Sequence, residues 1–313
     1  MIANAADAPT TSVTDILLKH DRALVRELAD YLRKNPKADD LEQAHAALFN
    51  KAIERDWFAE TEDLARGYLK AEPDGPVKAL AQIIITMARA QGGQFEEALA
   101  NYRTLVGGLN PVEQAEFALS FSDSLSLLAI GEGQIGVARE IAKVLLTQFG
   151  DDPEVRRKVQ ADLKRLDKVG KLAPDFAVED IKGQTIKLDT FRGKYVLLDF
   201  WATWCSPCIA ELPRLQLNYK TYGGAGLEII SVSLDDNKTA VTDFVKVHNI
   251  AWPQIHNATC TADLVESFGV SSIPATFLID PDGKVVRLDL RGKKLEQTLG
   301  QLIKRPVSRV TGR

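Results

Sequence analysis

The apolar run Tyr195-Val196-Leu197-Leu198-Asp199-Phe200-Trp201 leads within a few residues into Cys205-Ser206-Pro207-Cys208, and a helical pattern follows at once. A short apolar run of this kind reads as a buried strand of a parallel or mixed sheet. From Pro207 to about Tyr222, Ile209, Leu212, Leu215 and Leu217 recur at an approximate helical period, and Pro207 suits a first helical turn. Cys205 is therefore expected at a helix N-terminus, where unpaired N–H groups and the dipole favour an anion. Such a thiol is a nucleophile, and Cys208, one turn on, is placed to attack a mixed disulfide formed there. Two other readings weigh less. A zinc site would need His256 and Cys260, the only other thiol, to complete a four-ligand set. A purely structural disulfide usually closes a longer loop.

The stretch Phe200-Trp201-Ala202-Thr203-Trp204-Cys205-Ser206-Pro207-Cys208 resembles the active-site strand and turn of the thioredoxin superfamily. Asp199 stands where that family keeps a buried carboxylate, and the resemblance implies that it accepts the proton of the deeper cysteine. Burial alone argues the same way, since a carboxylate in an apolar strand is costly to ionise and its pKa should rise. A solvent-facing Asp199 on an edge strand is the alternative. Gly269-Val270-Ser271-Ser272-Ile273-Pro274-Ala275-Thr276 resembles the loop that carries a cis proline in this family. That resemblance implies a cis Ile273-Pro274 bond beside Cys205, with loop backbone pairing to a substrate peptide. Pro281-Asp282-Gly283-Lys284 then reads as a hairpin turn into Val285–Leu290, and Pro213 matches the family's helix kink.

Ala173-Pro174-Asp175-Phe176, Gly183-Gln184, Gly193-Lys194 and Glu211-Leu212-Pro213 narrow the resemblance to the bacterial TlpA/ResA-like, redoxin-type oxidoreductases. It covers about residues 171–304. Two departures stand out. Thioredoxins pair the buried aspartate with a lysine on the next strand, whereas Leu227–Leu234 offers only Glu228, Ser231 and Ser233. Many ResA-like members place a glutamate between the cysteines, where this chain has Ser206-Pro207.

The first half reads differently. Thr14-Asp15 caps a segment carrying Ile16, Leu17, Leu24, Leu28 and Leu32, and further amphipathic segments are predicted over about 41–55, 57–71, 77–91, 95–106, 111–130, 135–149 and 153–169. Gly93-x-Phe95-Glu96-Glu97-Ala98-Leu99 resembles a tetratricopeptide pattern, but the openings at Phe58, Phe95 and Ile135 lie roughly 37 and 40 residues apart against about 34 for that repeat. Degenerate tetratricopeptide-like hairpins are the favoured reading and an irregular bundle the other. The expected organisation is a disordered tail at 1–14, an all-helical domain at 15–166 and a linker at 167–171. An α/β thioredoxin-like domain at 172–305 and a tail at 306–313 complete it.

A chain of 313 residues has room for two cores. A net charge of −4 without a Lys/Arg block argues against nucleic acid or anionic membrane as main partner, and no run is long and apolar enough for a membrane helix. Ala3-Asn4-Ala5 before Ala6–Pro9 resembles the end of a signal peptide and the start of a mature chain, though an alanine-rich tail fits equally well. The family resemblance implies a periplasmic or otherwise extracytoplasmic location.

The resulting expectation is a thiol-disulfide oxidoreductase, on balance a reductase, with Cys205 as nucleophile, Cys208 as resolving thiol and Asp199 as proton acceptor. Trp204, Ser206, Pro207, Ile273 and Pro274 are the candidate substrate contacts. No cofactor or metal is called for. The partners implied are a protein disulfide or dithiol substrate, a redox donor protein and a protein bound by the helical domain. Alternatives are a helical-repeat scaffold whose redox domain is dispensable, and a thiol peroxidase. The peroxidase reading lacks the proline and threonine arrangement before its cysteine. Cys260 reads as an inert thiol.

Overall fold

The computed structural model describes residues 12–260 and 262–303. The Ala3–Pro9 stretch and the C-terminal tail expected at 306–313 lie outside them. The chain divides into two compact units, one of residues up to 128 with 143–148, the other of 129–142 with 149 onward.

The first unit is built from α1 (Val13–Lys34), α2 (Leu41–Glu54), α3 (Phe58–Ala71), α4 (Lys78–Gln91), α5 (Phe95–Gly107) and α6 (Ala115–Gly131), and α7 (Ile135–Phe149) contributes to both units. Ser12, not Thr14, caps α1: its hydroxyl accepts the Asp15 N–H at 3.1 Å, so residues 13 and 14, expected in the tail, are helical. The α6 start also differs from expectation. The Asn110 side chain accepts from Val112 N and the Gln114 side chain from Asn110 N, closing a turn that delays the helix from Pro111 to Ala115. Consecutive helices pack on one another, α1 on α2, α3 on α4 and α4 on α5, burying Leu48, Phe49, Ile84, Leu99 and Tyr102.

The second unit includes α8 (Pro153–Leu166), where the Asp152 carboxylate accepts the Glu154 and Val155 N–H groups and Pro153 fills the first turn. The stretch expected as a linker at 167–171 is tied down instead. Gly170 N donates to Val285 O at 2.8 Å and Val285 N returns a bond to Lys171 O at 2.9 Å. A small hairpin, β1 (Ala177–Glu179) with β2 (Thr185–Lys187), precedes the main strands β3 (Tyr195–Trp201), β4 (Leu227–Ser233), β5 (Gln254–His256), β6 (Ala275–Ile279) and β7 (Val285–Leu288). Their order is β5-β4-β3-β6-β7, with β3 parallel to β4 and antiparallel to β6. The sheet is thus mixed, and β3 lies at its centre.

Alternation along β3 sorts its side chains. Leu197 and Trp201 join a core with Ile229, Leu278 and residues of α9 (Ser206–Tyr222) and α12 (Gly292–Leu302). Phe200 turns to the opposite face, where Phe268 and Phe277 meet it at ring-centroid separations of 5.8 Å each. Phe268 comes from the short helix α11 (Leu264–Phe268), and α10 (Lys238–Val247) lies between β4 and β5 in the chain. Asp199, between Leu197 and Trp201 in the alternation, is carried toward α9.

Candidate active site

The turn after β3 places Cys205 as the N-cap of α9, its sulfur accepting the Cys208 N–H at 3.3 Å. The helix starts there because Pro207 needs no hydrogen-bond partner for its nitrogen and carries a helical φ. The two cysteines are joined as a disulfide with an S–S distance of 2.03 Å. Both are largely covered, 5% and 7% exposed, whereas the neighbouring Trp204 is 67% exposed and Ser206 and Pro207 also face solvent. The sulfurs therefore sit at the edge of an apolar rim. A negative charge on Cys205 would meet an amide N–H and the positive end of a helix.

Asp199 is 6% exposed on the central strand, not an edge. Its cross-strand neighbour on β4 is Ser231, whose hydroxyl donates to Asp199 Oδ2 at 3.0 Å and in turn accepts from Trp252 Nε1 at 2.8 Å. Burial pushes the Asp199 carboxyl up to about 6; the Ser231 bond and the Arg291 charge offset part of that, and the Glu211 charge adds to it. Asp199 and Cys208 line one internal void of about 10 Å³, on the scale of a single water molecule. The carboxylate and the Cys208 side chain thus face one common void. Strand β4 offers Asp199 the Ser231 hydroxyl, and the positive charge acting on the carboxyl is that of Arg291, at the start of α12.

The Ile273-Pro274 bond is cis. Ile273 packs against the cluster containing both cysteines, and its backbone N–H and C=O make no hydrogen bond among the described residues. Arg291 donates through Nη2 to the Pro274 carbonyl. Glu211, of the Glu211-Leu212-Pro213 motif, accepts the Gly292 N–H at 2.8 Å and ties α9 to the start of α12.

Asp235 was not singled out from the sequence. Buried just beyond β4, it accepts the Thr203 N–H at 3.0 Å, the Thr203 hydroxyl at 2.5 Å and the Ser233 hydroxyl at 2.8 Å. It thereby fixes the turn that delivers Cys205. The only sequence signal is a carboxylate at the end of a buried strand. His256 is committed elsewhere, donating from Nε2 to the Asp235 carbonyl at 2.7 Å, and Cys260 donates to the His256 carbonyl at 3.3 Å. Burial pushes the Cys260 thiol up, with Lys238 offsetting part of the shift, which opposes thiolate formation. Among the described residues no cluster of three or more His, Cys, Asp or Glu side chains is arranged to hold a metal ion.

Residues 169–288 match the model of the AhpC/TSA family. Thiol-disulfide oxidoreductase ResA of Bacillus thuringiensis subsp. konkukian is 37% identical over 137 residues, which span 44% of this chain and 78% of the relative. ResA of a Bacillus cereus strain is 39% identical over 145 residues, 46% of this chain and 82% of the relative. Among solved structures, the thioredoxin domain of a thiol-disulfide oxidoreductase from Bacteroides vulgatus is 33% identical, with a TM-score of 0.41 over 44% of this chain and 98% of the other. These three similarities cover 44 to 46% of this chain.

Proposed function

This chain belongs to the ResA-like thiol-disulfide oxidoreductases, and we propose that it works outside the cytoplasm as a reductant of protein disulfides, recharged by a dithiol donor protein. The observation that carries the reading is the disulfide-bonded pair at the start of α9, with Asp199 behind it and the unpaired Ile273 backbone beside it. In the reduced protein the Cys205 thiolate attacks one sulfur of a client disulfide. The client's other sulfur leaves as a thiolate, and a mixed disulfide forms. Cys208 passes its proton to Asp199 and attacks Cys205 Sγ, releasing the second client thiolate. Two electrons have then moved from the cysteine pair to the client. A donor dithiol reverses the sequence and restores the pair.

Reduction, not oxidation, is supported by Ser-Pro between the cysteines, close to the Gly-Pro of reductants in this superfamily. The extracytoplasmic location rests on the family resemblance; no helix of the described residues is long and apolar enough to cross a membrane. The direct test is insulin reduction with dithiothreitol as electron source. Catalysed precipitation of the insulin B chain, dependent on both cysteines, supports the proposal, and a rate equal to dithiothreitol alone ends it. A peroxidase has less support, since the Thr203 hydroxyl is held by Asp235.

The helical half is proposed to recruit the client or the donor. A groove of about 580 Å³ between α1, α2 and α3 supports this, with Leu41, Leu64 and His45 half-buried in it and Asp39, Glu42 and Asp63 exposed around it. Gly67 lines the same groove from the interior of α3, where a Cβ would meet no atom within 4 Å. A helix-interior glycine costs about 1 kcal/mol relative to alanine, and the packing of the described residues does not require it. Gly67→Ala is therefore expected to raise the thermal unfolding midpoint by about 2–4 °C, followed by circular dichroism. A lowered midpoint would show that the glycine serves the fold.

A further inference from the structure

We infer that Arg165 of α8 is a positioning residue for the substrate loop of the redox site, so that the redox unit of this protein extends past its family-matched segment into the helical half. The inference rests on the thiol-disulfide reading above and adds a residue to it. The match to the family model begins at residue 169, beyond the end of α8 at Leu166.

The loop in question runs from Gly269 to Thr276 and carries the cis Ile273-Pro274 bond. One turn of α8 touches it at both ends. At the near end Gly269, at φ +71°, lies so close that a Cβ there would sit 3.5 Å from both the Ala161 carbonyl oxygen and Arg165 N. Two residues on, the Ser271 hydroxyl donates to Asp162 Oδ1 at 3.4 Å. At the far end the Arg165 guanidinium donates through Nη1 to both oxygens of Asp289, at 2.8 and 2.6 Å. Asp289 then grips Thr276: its N–H donates to the Thr276 carbonyl at 2.8 Å, and its Oδ1 accepts the Thr276 N–H at 3.4 Å.

Two features mark this as more than a surface ion pair. The side chains are 13% and 3% exposed, and a buried carboxylate that lost its partner would be left uncompensated. Asp289 also holds φ +50°, a left-handed conformation uncommon for a residue with a side chain, and Arg165 clamps it there. The chain Arg165–Asp289–Thr276 thus fixes the loop two residues after Pro274, while Arg291 holds the Pro274 carbonyl itself. What the loop offers a client is the unpaired N–H and C=O of Ile273, a main-chain edge suited to an extended peptide. A small disulfide with no peptide backbone makes no use of it.

The experiment mixes the pre-reduced full-length protein, R165Q and R165K with insulin or with dithionitrobenzoate, and follows the second-order rate of disulfide consumption. For R165Q the insulin rate is expected to fall about tenfold, as for a loop displaced by a fraction of an ångström, with the dithionitrobenzoate rate within about twofold of wild type. R165K, which keeps the charge on a shorter side chain that ends in a single nitrogen, is expected to lie between and to carry the test if R165Q does not fold. An insulin rate unchanged in both variants, or equal falls on both substrates, overturns the inference. Failure of the wild-type protein on insulin would instead remove the reductase reading on which it rests.

Discussion

Serine at position 208 is expected to turn the protein into a covalent trap for its clients. With Cys208 gone, Cys205 keeps its place at the start of α9 and its apolar rim, so the first attack on a client disulfide proceeds. The second attack has no nucleophile. Cys208→Ser, mixed with an oxidised client, should accumulate a complex that survives denaturation and is released by dithiothreitol, visible on non-reducing gels and by intact mass. Cys205→Ser should form no such complex. Either variant should lose at least about a thousandfold in turnover, the scale expected when a covalent nucleophile is removed. Turnover by Cys205→Ser at the wild-type rate would contradict the assigned roles, as would a stable adduct that forms on Cys208 alone.

The second large effect is expected from Asp199→Asn, and it has opposite signs on stability and on rate. Folding raises the Asp199 pKa from 3.8 to about 6, so between those values the folded protein binds the proton more tightly than the unfolded chain. Stability therefore falls as pH rises through that window, and the full cost, on the order of 3 kcal/mol at most, stands above it. Asparagine is neutral throughout and can still accept from Ser231. The oxidised variant is expected to be more stable than wild type at pH 8, with the difference vanishing near pH 4. Denaturant unfolding at the two pH values reads this directly. Turnover should move the other way. The wild-type rate is expected to climb as Asp199 loses its proton near pH 6, and the variant to lack that step and run about tenfold or more slower at pH 7. A variant less stable than wild type at pH 8, with an unchanged pH–rate profile, would place the carboxylate outside the proton path.

The parts of this site that could be read from the sequence are local ones. Strand β3 was delimited at Tyr195–Trp201 because a short apolar run ends where Pro207 begins a helix. The hairpin between β6 and β7 was marked by Pro281-Asp282-Gly283, with Gly283 at φ +84°. The misreadings have physical causes in side chains acting at a distance. β7 was expected to run to Leu290, but Asp289 leaves the strand in a left-handed conformation held by Arg165, 124 residues away in the chain. α8 was expected to continue to Val169 and stops at Leu166, because Val169 bridges to Val285 of β7 and Leu172 to Lys284 just before it. Asp235 and Arg291 carry no periodicity or motif of their own. They matter because the sheet order brings the end of β4 beside the Cys205 turn and the start of α12 beside Pro274.

The central claim is that Cys205 and Cys208 form a reversible two-electron couple poised for reduction of clients. Equilibrating the full-length protein in defined thiol–disulfide buffers, with free thiols trapped and counted by mass, measures its potential. A single two-electron transition near the roughly −270 mV of a thioredoxin-type reductant is the expected result. A transition near roughly −120 mV, the range of a strong disulfide donor, would reverse the proposed direction of electron flow, and the absence of any reversible transition would contradict the account.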